Sequence, residues 1–531
     1  RSTQGYSSAA SDVYKRQFLN IEFLWVLKGE RSMLKVANIF SNDMVLQRDK
    51  NITVWGLGDE ERTVTVTLNG VSVQTQVCDG RWTAVLPPMS AGGEYEMTVS
   101  DGCTEKKFCR IMIGEVWFCG GQSNMELELQ NAKGGKEVLE NLTPDCNVRF
   151  YYTQKRGTLD EMFYEDENNT AWSQASKDNS RAWSAVGFFF GRKLAKDLGV
   201  TVGLIGCNWG GTSASAWVDR PTLENNAEIR SYIDEYEKRI EGKTVEEQIK
   251  EYRDYQKFER VWDKKYGELL QKDPTMSWEK ANEILGDKNW PGPINCVNPF
   301  RPTGLFETMV SRVCPYTIKG FLYYQGESDD HKPDSYYTLL TSLIRLWREK
   351  WGDDELPFII VQLPMFKYAA DPDYKHWCKI REAQMRAYKT VKNTGIAVIS
   401  DCGEFNEIHP KNKVPVGERL CLQAEKLFYG MDVKAFGPIY KSLEYKNGGI
   451  ELSFDHAENG FVVKGEAQGF EIAGKDEEFV KADITIDGSK IFIKSDAVVK
   501  PLYARYNWFN YCEVTIFNET GIPLAPFRTE K

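Results

Sequence analysis

The stretch Cys119-Gly120-Gly121-Gln122-Ser123-Asn124-Met125-Glu126 follows an apolar run at residues 111–118. A β-like segment ends in two glycines and hands over to a serine where the chain must turn. Glycine lets the backbone turn sharply and approach a ligand closely. A helix starting at Ser123 would aim its unpaired N–H groups at whatever binds there. A serine so placed can act as a nucleophile, and the carbonyl oxygen it attacks becomes an anion beside those N–H groups. The same letters also suit a Ser or Asn N-cap after a tight turn. The choice depends on whether the rest of the chain supplies a base, an acid to orient it and further oxyanion donors.

Downstream of this turn, apolar segments at 202–207, 318–324, 358–363 and 396–400 alternate with helical patterns at 185–198, 336–350, 377–390 and 416–429. Continuously apolar strands separated by helices predict an α/β domain with a parallel sheet covered on both faces. In such sheets, sites lie beyond the carboxyl ends of the strands. Upstream, residues 33–110 form short alternating runs punctuated by Asn69-Gly70, Asp79-Gly80, Gly92-Gly93 and Asp101-Gly102, which predicts an antiparallel β-sandwich. Residues 221–300 break the rhythm with a charged, helical stretch. There Val245, Ile249, Tyr252, Tyr255, Phe258, Trp262, Tyr266 and Leu269 recur every three or four residues, the packing face of an insertion over the sheet domain. From about Met431 the pattern is β-like again. The expected division is a leader at 1–32, a β-sandwich at 33–110, the α/β sheet core at 111–220 and 301–430, the helical insertion at 221–300, and a C-terminal β domain at 431–531.

The 531 residues are 41% hydrophobic and 27% charged, with a net charge of −10, a balance that suits a globular protein and argues against nucleic acid or an anionic membrane surface as partner. The 12 cysteines contain no Cys-x-x-Cys pair and only four histidines occur, none in a ligand-spaced cluster, so no metal site is expected. Residues 1–17 read as translated adapter sequence. The short apolar run after them lacks the flanks of a signal peptide and the length of a membrane span. Met33 is the expected start, and a cytoplasmic location is the corresponding expectation.

Four segments follow predicted strand ends: Gly120–Asn124, then Asn208-Trp209-Gly210-Gly211-Thr212, then Tyr324-Gln325-Gly326-Glu327-Ser328, then Glu404-Phe405-Asn406-Glu407-Ile408-His409-Pro410. His409 is the candidate base for Ser123, since histidine titrates nearest neutrality. The oxyanion donors would be the Ser123 N–H, a glycine N–H from Gly210-Gly211 (Gly211 the choice) and the Gln325 amide. Gln122, Asn124, Trp209 and Glu327 are placed on the substrate side. Glu407 is the first choice to orient His409, with Asp401 and Glu327 as rivals.

Together these pieces resemble the sialate O-acetylesterase family of SGNH-type hydrolases. The matching motifs are Ile113-Gly114-Glu115-Val116-Trp117, Gly121-Gln122-Ser123-Asn124-Met125-Glu126, Trp209-Gly210-Gly211-Thr212, Tyr324-Gln325-Gly326-Glu327-Ser328 and Ile408-His409-Pro410-Lys411-Asn412-Lys413. Asp43-Met44-Val45-Leu46-Gln47-Arg48, Arg381-Glu382-Ala383-Gln384 and Pro526-Phe527-Arg528-Thr529 extend the likeness over about residues 38–530. The resemblance implies a flavodoxin-like, three-layer α/β core flanked by β domains, with Ser123 as nucleophile and His409 as base. It also implies removal of acetyl groups from hydroxyls of a sialic acid or a xylan-type sugar, with no metal or organic cofactor. A carbohydrate-binding protein with a degenerate core is the alternative. The Gly-x-Ser-x-Gly elbow of α/β-hydrolases is absent, which disfavours a lipase or thioesterase.

Overall fold

The computed structural model describes residues 34–530 apart from 144, 274–275 and 370–371; the leader expected at 1–32 and the start expected at Met33 lie outside the described residues. Its centre is a run of six parallel strands: β1 (Glu105–Gly121), β2 (Val148–Tyr152), β3 (Val202–Asn208), β4 (Gly320–Tyr324), β5 (Phe358–Gln362) and β6 (Thr394–Val398). They lie in the order β2-β3-β1-β4-β5-β6, with the short antiparallel strand Ser173–Gln174 beyond β2. The five strands β2 to β6 are buried along almost their whole length, which explains their continuous apolar character.

Successive side chains of a strand point to opposite faces. On β1, Trp117 meets Phe190 of helix α2 (Ala185–Leu198) with ring centroids 5.3 Å apart, and Phe118 meets Trp347 of helix α4 (Tyr336–Trp351) at 5.1 Å. Helices therefore cover both faces. Helix α5 (His376–Thr390) packs beside α4, and α6 (Val414–Phe428) beside α2. β3 and β4 flank β1 on either side, so the chain reverses its direction of travel across the sheet at the carboxyl end of β1. Ser123 stands directly beyond that end.

β1 is 17 residues long, and the boundary expected at residue 110 falls inside it. Its first half pairs antiparallel with Gly92–Ser100, which in turn pairs with Thr63–Leu68, while its second half belongs to the parallel sheet. Val45–Gln47 lies parallel to Met112–Gly114 at the crossing point. There the Glu115 carboxylate, 2% exposed, accepts from Gln47 Nε2 at 3.0 Å and Arg48 Nε at 2.6 Å, and Gln47 Oε1 accepts the Val116 N–H at 2.8 Å. The Asp43–Arg48 motif is thus a buried clasp between the two sheets.

The C-terminal region builds antiparallel sheets around its own core of Ile450, Leu452, Phe470, Ile472, Ile491 and Ile493, among others. Arg528 clasps Glu382 of α5 through two hydrogen bonds of 2.8 and 2.9 Å, so two of the family-like motifs join this region to the sheet domain. The insertion centres on helix α3 (Val245–Lys272), opened by a capping box between Thr244 and Glu247. Its stripe is only partly buried. Trp262 is covered by Trp278 and by the segment returning to the core, donating from Nε1 to the Gly286 carbonyl at 2.8 Å.

Candidate active site

Gly121 ends β1 with φ +136, and a Cβ there would stand 2.1 Å from the Tyr324 carbonyl oxygen, so only glycine fits between β1 and β4 at this point. Gln122 then leaves the strand, donating its N–H to that same carbonyl at 3.1 Å, and a four-residue helix α1 (Ser123–Glu126) begins. Ser184, the N-cap of α2, holds this turn from below by donating to the Met125 carbonyl at 2.6 Å.

Ser123 and His409, 286 residues apart, meet: His409 Nε2 lies 2.8 Å from Ser123 Oγ. The three carboxylates considered for orienting the imidazole part company. Glu407 Oε1 lies 3.7 Å from His409 Nδ1 and accepts the backbone N–H of His409 at 2.8 Å. Asp401 is taken by Arg419 through bonds of 2.5 and 2.8 Å. Glu327 is buried against Asn124, whose Nδ2 donates to it at 2.7 Å. Of the three, Glu407 faces the imidazole, at a distance longer than a hydrogen bond. Burial holds the His409 imidazole below its ordinary pKa; Glu407 opposes this, and Lys413 and Lys411 reinforce it.

The residues placed on the substrate side divide differently. Asn124 is fully buried. Its Nδ2 donates to Glu327 and to the Ile408 carbonyl at 2.9 Å, and its Oδ1 accepts from Lys413 Nζ at 2.6 Å. Glu327 belongs to the same network, where burial raises its pKa and the Asn124 bond pulls it back. Burial pushes the Lys413 ammonium down to about 8, with Glu327 acting the other way. Gln122 is 2% exposed, and its Oε1 accepts the Ser328 N–H at 3.2 Å. Asn124 and Glu327 are thus tied to each other behind the turn, with the second Glu327 carboxylate oxygen, Oε2, buried without a hydrogen-bond partner. Trp209 is half-buried, its N–H donated to the Gly121 carbonyl at 3.1 Å.

Gln325 also departs from its expected place. Both N–H groups of its carboxamide are spent, on the Thr212 carbonyl at 3.1 Å and on Asp329 Oδ2 at 2.6 Å, and the side chain is fully buried. It therefore braces the Trp209–Thr212 turn instead of pointing at Ser123. Asp329, which sequence reasoning passed over although it stands two residues after Glu327, accepts from Gln325, Ser213, Ala214 and Tyr232 and is the hub of this brace.

Gly210 of that turn stands against Ser123: a Cβ on it would lie 3.2 Å from the Ser123 Cβ. The Gly210 N–H is donated to Glu126 Oε2 at 2.6 Å, and Lys155 neutralises the other carboxylate oxygen. Among the described residues, no acceptor takes the N–H of Ser123 or of Gly211. Glu126 thus selects which N–H groups stay available beside Ser123, a role with no signal in the sequence beyond its place in the motif.

Among the described residues one group could hold a metal ion, Asp197, Cys421 and Glu425, and Lys193 already pairs with both of its carboxylates at 2.5 and 2.9 Å. It sits on α2 and α6, not at the strand ends. No described helix is long and apolar enough to cross a membrane.

Residues 293–424 match a family model described as a carbohydrate esterase, sialic acid-specific acetylesterase. The matched span includes His409 and stops short of Ser123. The chain is 26% identical over 457 residues to the sialate O-acetylesterase of Mus musculus, covering 79% of each. To that of Homo sapiens it is 26% identical over 458 residues, covering 79% of this chain and 76% of the relative. Among solved structures, a carbohydrate acetylesterase from Xanthomonas citri superposes with a TM-score of 0.75 at 28% identity, covering 94% of this chain and 99% of the other. By its motifs, its fold and these likenesses, the chain is a relative of the sialate O-acetylesterases and a carboxylic ester hydrolase.

Proposed function

We propose that this protein removes O-acetyl groups from an acetylated carbohydrate through an acetyl-enzyme on Ser123, on a core of the three-layer SGNH hydrolase type. The observation that carries this reading is the 2.8 Å contact between Ser123 Oγ and His409 Nε2 beyond the carboxyl end of β1. The N–H groups of Ser123 and Gly211 beside it add support.

In the reaction, His409 takes the Ser123 proton as Oγ forms a bond to the acetyl carbonyl carbon. The carbonyl oxygen gains the negative charge and is met by the two N–H groups; losing one such donor costs about 3–4 kcal/mol of transition-state stabilisation. The bond to the sugar oxygen then breaks, and that oxygen leaves with the proton held by His409. Water, deprotonated by the same imidazole, attacks the acetyl-enzyme and releases acetate and Ser123. The lowered pKa of His409 keeps the imidazole neutral, and so able to accept the first proton, at neutral pH. Glu407 steadies the imidazolium formed in between.

The sialate O-acetylesterase and carbohydrate acetylesterase likenesses support sialic acid or another acetylated sugar as the substrate class. Acetate release from O-acetylated sialic acid, acetylated xylo-oligosaccharide and acetylated mannan tests the reading. The enzyme is expected to release acetate from at least one. Ser123→Ala and His409→Ala should each lose about three orders of magnitude or more in kcat while remaining folded. Undiminished turnover by Ser123→Ala would refute the nucleophile, and no turnover by the intact protein would leave a binding protein on the same fold.

A further inference from the structure

The helical insertion brings a tryptophan to the Trp209–Thr212 turn beside Ser123. Trp290 lies on the segment that returns from α3 to the core, and its side chain is 49% exposed. That segment is firmly held. Gln248 of α3 accepts at its carbonyl from Asn295 Nδ2 at 2.9 Å and at its Oε1 from the Cys296 N–H at 3.1 Å. Asn298 Nδ2 bridges the Pro291 and Pro293 carbonyls, both at 3.0 Å. The Phe300 ring abuts Trp290 edge-on, with centroids 5.1 Å apart.

The far end of the indole reaches Gly211. A Cβ on that glycine would lie 2.4 and 2.5 Å from Trp290 Cη2 and Cζ2, so the ring rests on the Gly211 backbone, one residue from the glycine packed on Ser123. A large aromatic that is half exposed, held by its flanking segment and packed on the turn next to Ser123 leaves much of its apolar surface in water. Leaving such area in water forgoes stabilisation that burial would provide. A pyranose ring offers the complementary surface, an apolar face of C–H bonds rimmed by hydroxyls.

We propose that Trp290 is a substrate-contacting, specificity-determining residue, the platform on which the sugar bearing the acetyl ester packs, and that the insertion exists at this site to supply it. The inference rests on the carbohydrate reading above and deepens it. The acetyl group enters between Ser123 and Gly211 while the sugar ring lies along the indole.

The test compares wild type, Trp290→Ala and Trp290→Phe on the best acetylated sugar of the panel and on 4-nitrophenyl acetate, which carries no sugar. The selectivity, kcat/KM for the sugar divided by kcat/KM for 4-nitrophenyl acetate, should fall about tenfold or more in Trp290→Ala, mainly through KM. Trp290→Phe should keep most of it. An unchanged ratio overturns the inference, whether both activities hold or both fall together, since a common fall would mean that Trp290 only supports Gly211. Wild type that releases acetate from no sugar while cleaving 4-nitrophenyl acetate overturns the carbohydrate reading itself, and the platform with it.

Discussion

Asn124 Nδ2 donates to the carbonyl of Ile408 at 2.9 Å, so the residue after Ser123 holds the residue before His409. The same carboxamide binds Glu327 and Lys413, giving one side chain three partners from two other segments. Asn124→Ala would leave a buried carboxylate, a buried ammonium and the Ile408 carbonyl without this partner. The expected cost is about 2–4 kcal/mol in stability, with kcat falling more than KM rises. Denaturant unfolding and steady-state kinetics check both.

Glu407 predicts a direction in pH. The proposed reaction needs neutral His409, so kcat/KM should rise as pH climbs through the imidazole pKa. Burial sets that pKa below 6.5, which places the acid limb below pH 6.5. The Glu407 anion favours the imidazolium, so Glu407→Gln should move the limb to still lower pH. Because the Nδ1 distance is 3.7 Å, the loss in maximal rate should be moderate, about tenfold to a hundredfold. A pH–rate profile of the two proteins decides, and an acid limb that does not move removes Glu407 from the mechanism.

Asp401 predicts the opposite pattern. Its carboxylate grips Arg419, and the two side chains are only 19% and 9% exposed. Asp401→Asn should cost about 2–3 kcal/mol of stability by leaving the guanidinium under-paired. The folded variant should keep the wild-type pH profile, read at a temperature well below its unfolding transition.

Gly211 is constrained twice, by its φ of +75 and by the indole against it. Gly211→Ala should lower kcat strongly. Combined with Trp290→Ala, which removes the clash and leaves the backbone strain, the loss should be less than additive, with a coupling of about 1 kcal/mol or more. The four kcat/KM values of the double-mutant cycle give that coupling directly.

The parallel strands and their helices were legible because each carries a strong local signal: unbroken apolar runs for strands buried on both faces, and a helical period for their covers. That Ser123 and His409 come together was legible for a related reason, since each sits in a short motif at a strand end. What escaped was pairing. Gln325 and Asn124 have the chemistry of site residues and stand in the right motifs, yet their carboxamides are engaged by Thr212, Asp329, Glu327, Ile408 and Lys413. Only the fold says where a carboxamide points. Asp401 was a rival for the same reason, and Arg419, 18 residues on, claims it. Trp290 gave no local signal, because its significance lies in Gly211, 79 positions away in the chain.

The long strand β1 carries a consequence for how this protein can be cut and recombined. One unbroken ribbon runs from the edge of the N-terminal β region, through the Glu115 clasp, to the turn that presents Ser123. The N-terminal region is therefore not a detachable module. Swapping it, or trimming the protein to a minimal core starting near residue 111, severs the rod that sets the height of Ser123 above the sheet. Chimeras that respect this architecture would keep everything from Val45 to Ser123 as a single inherited block and exchange parts only beyond it.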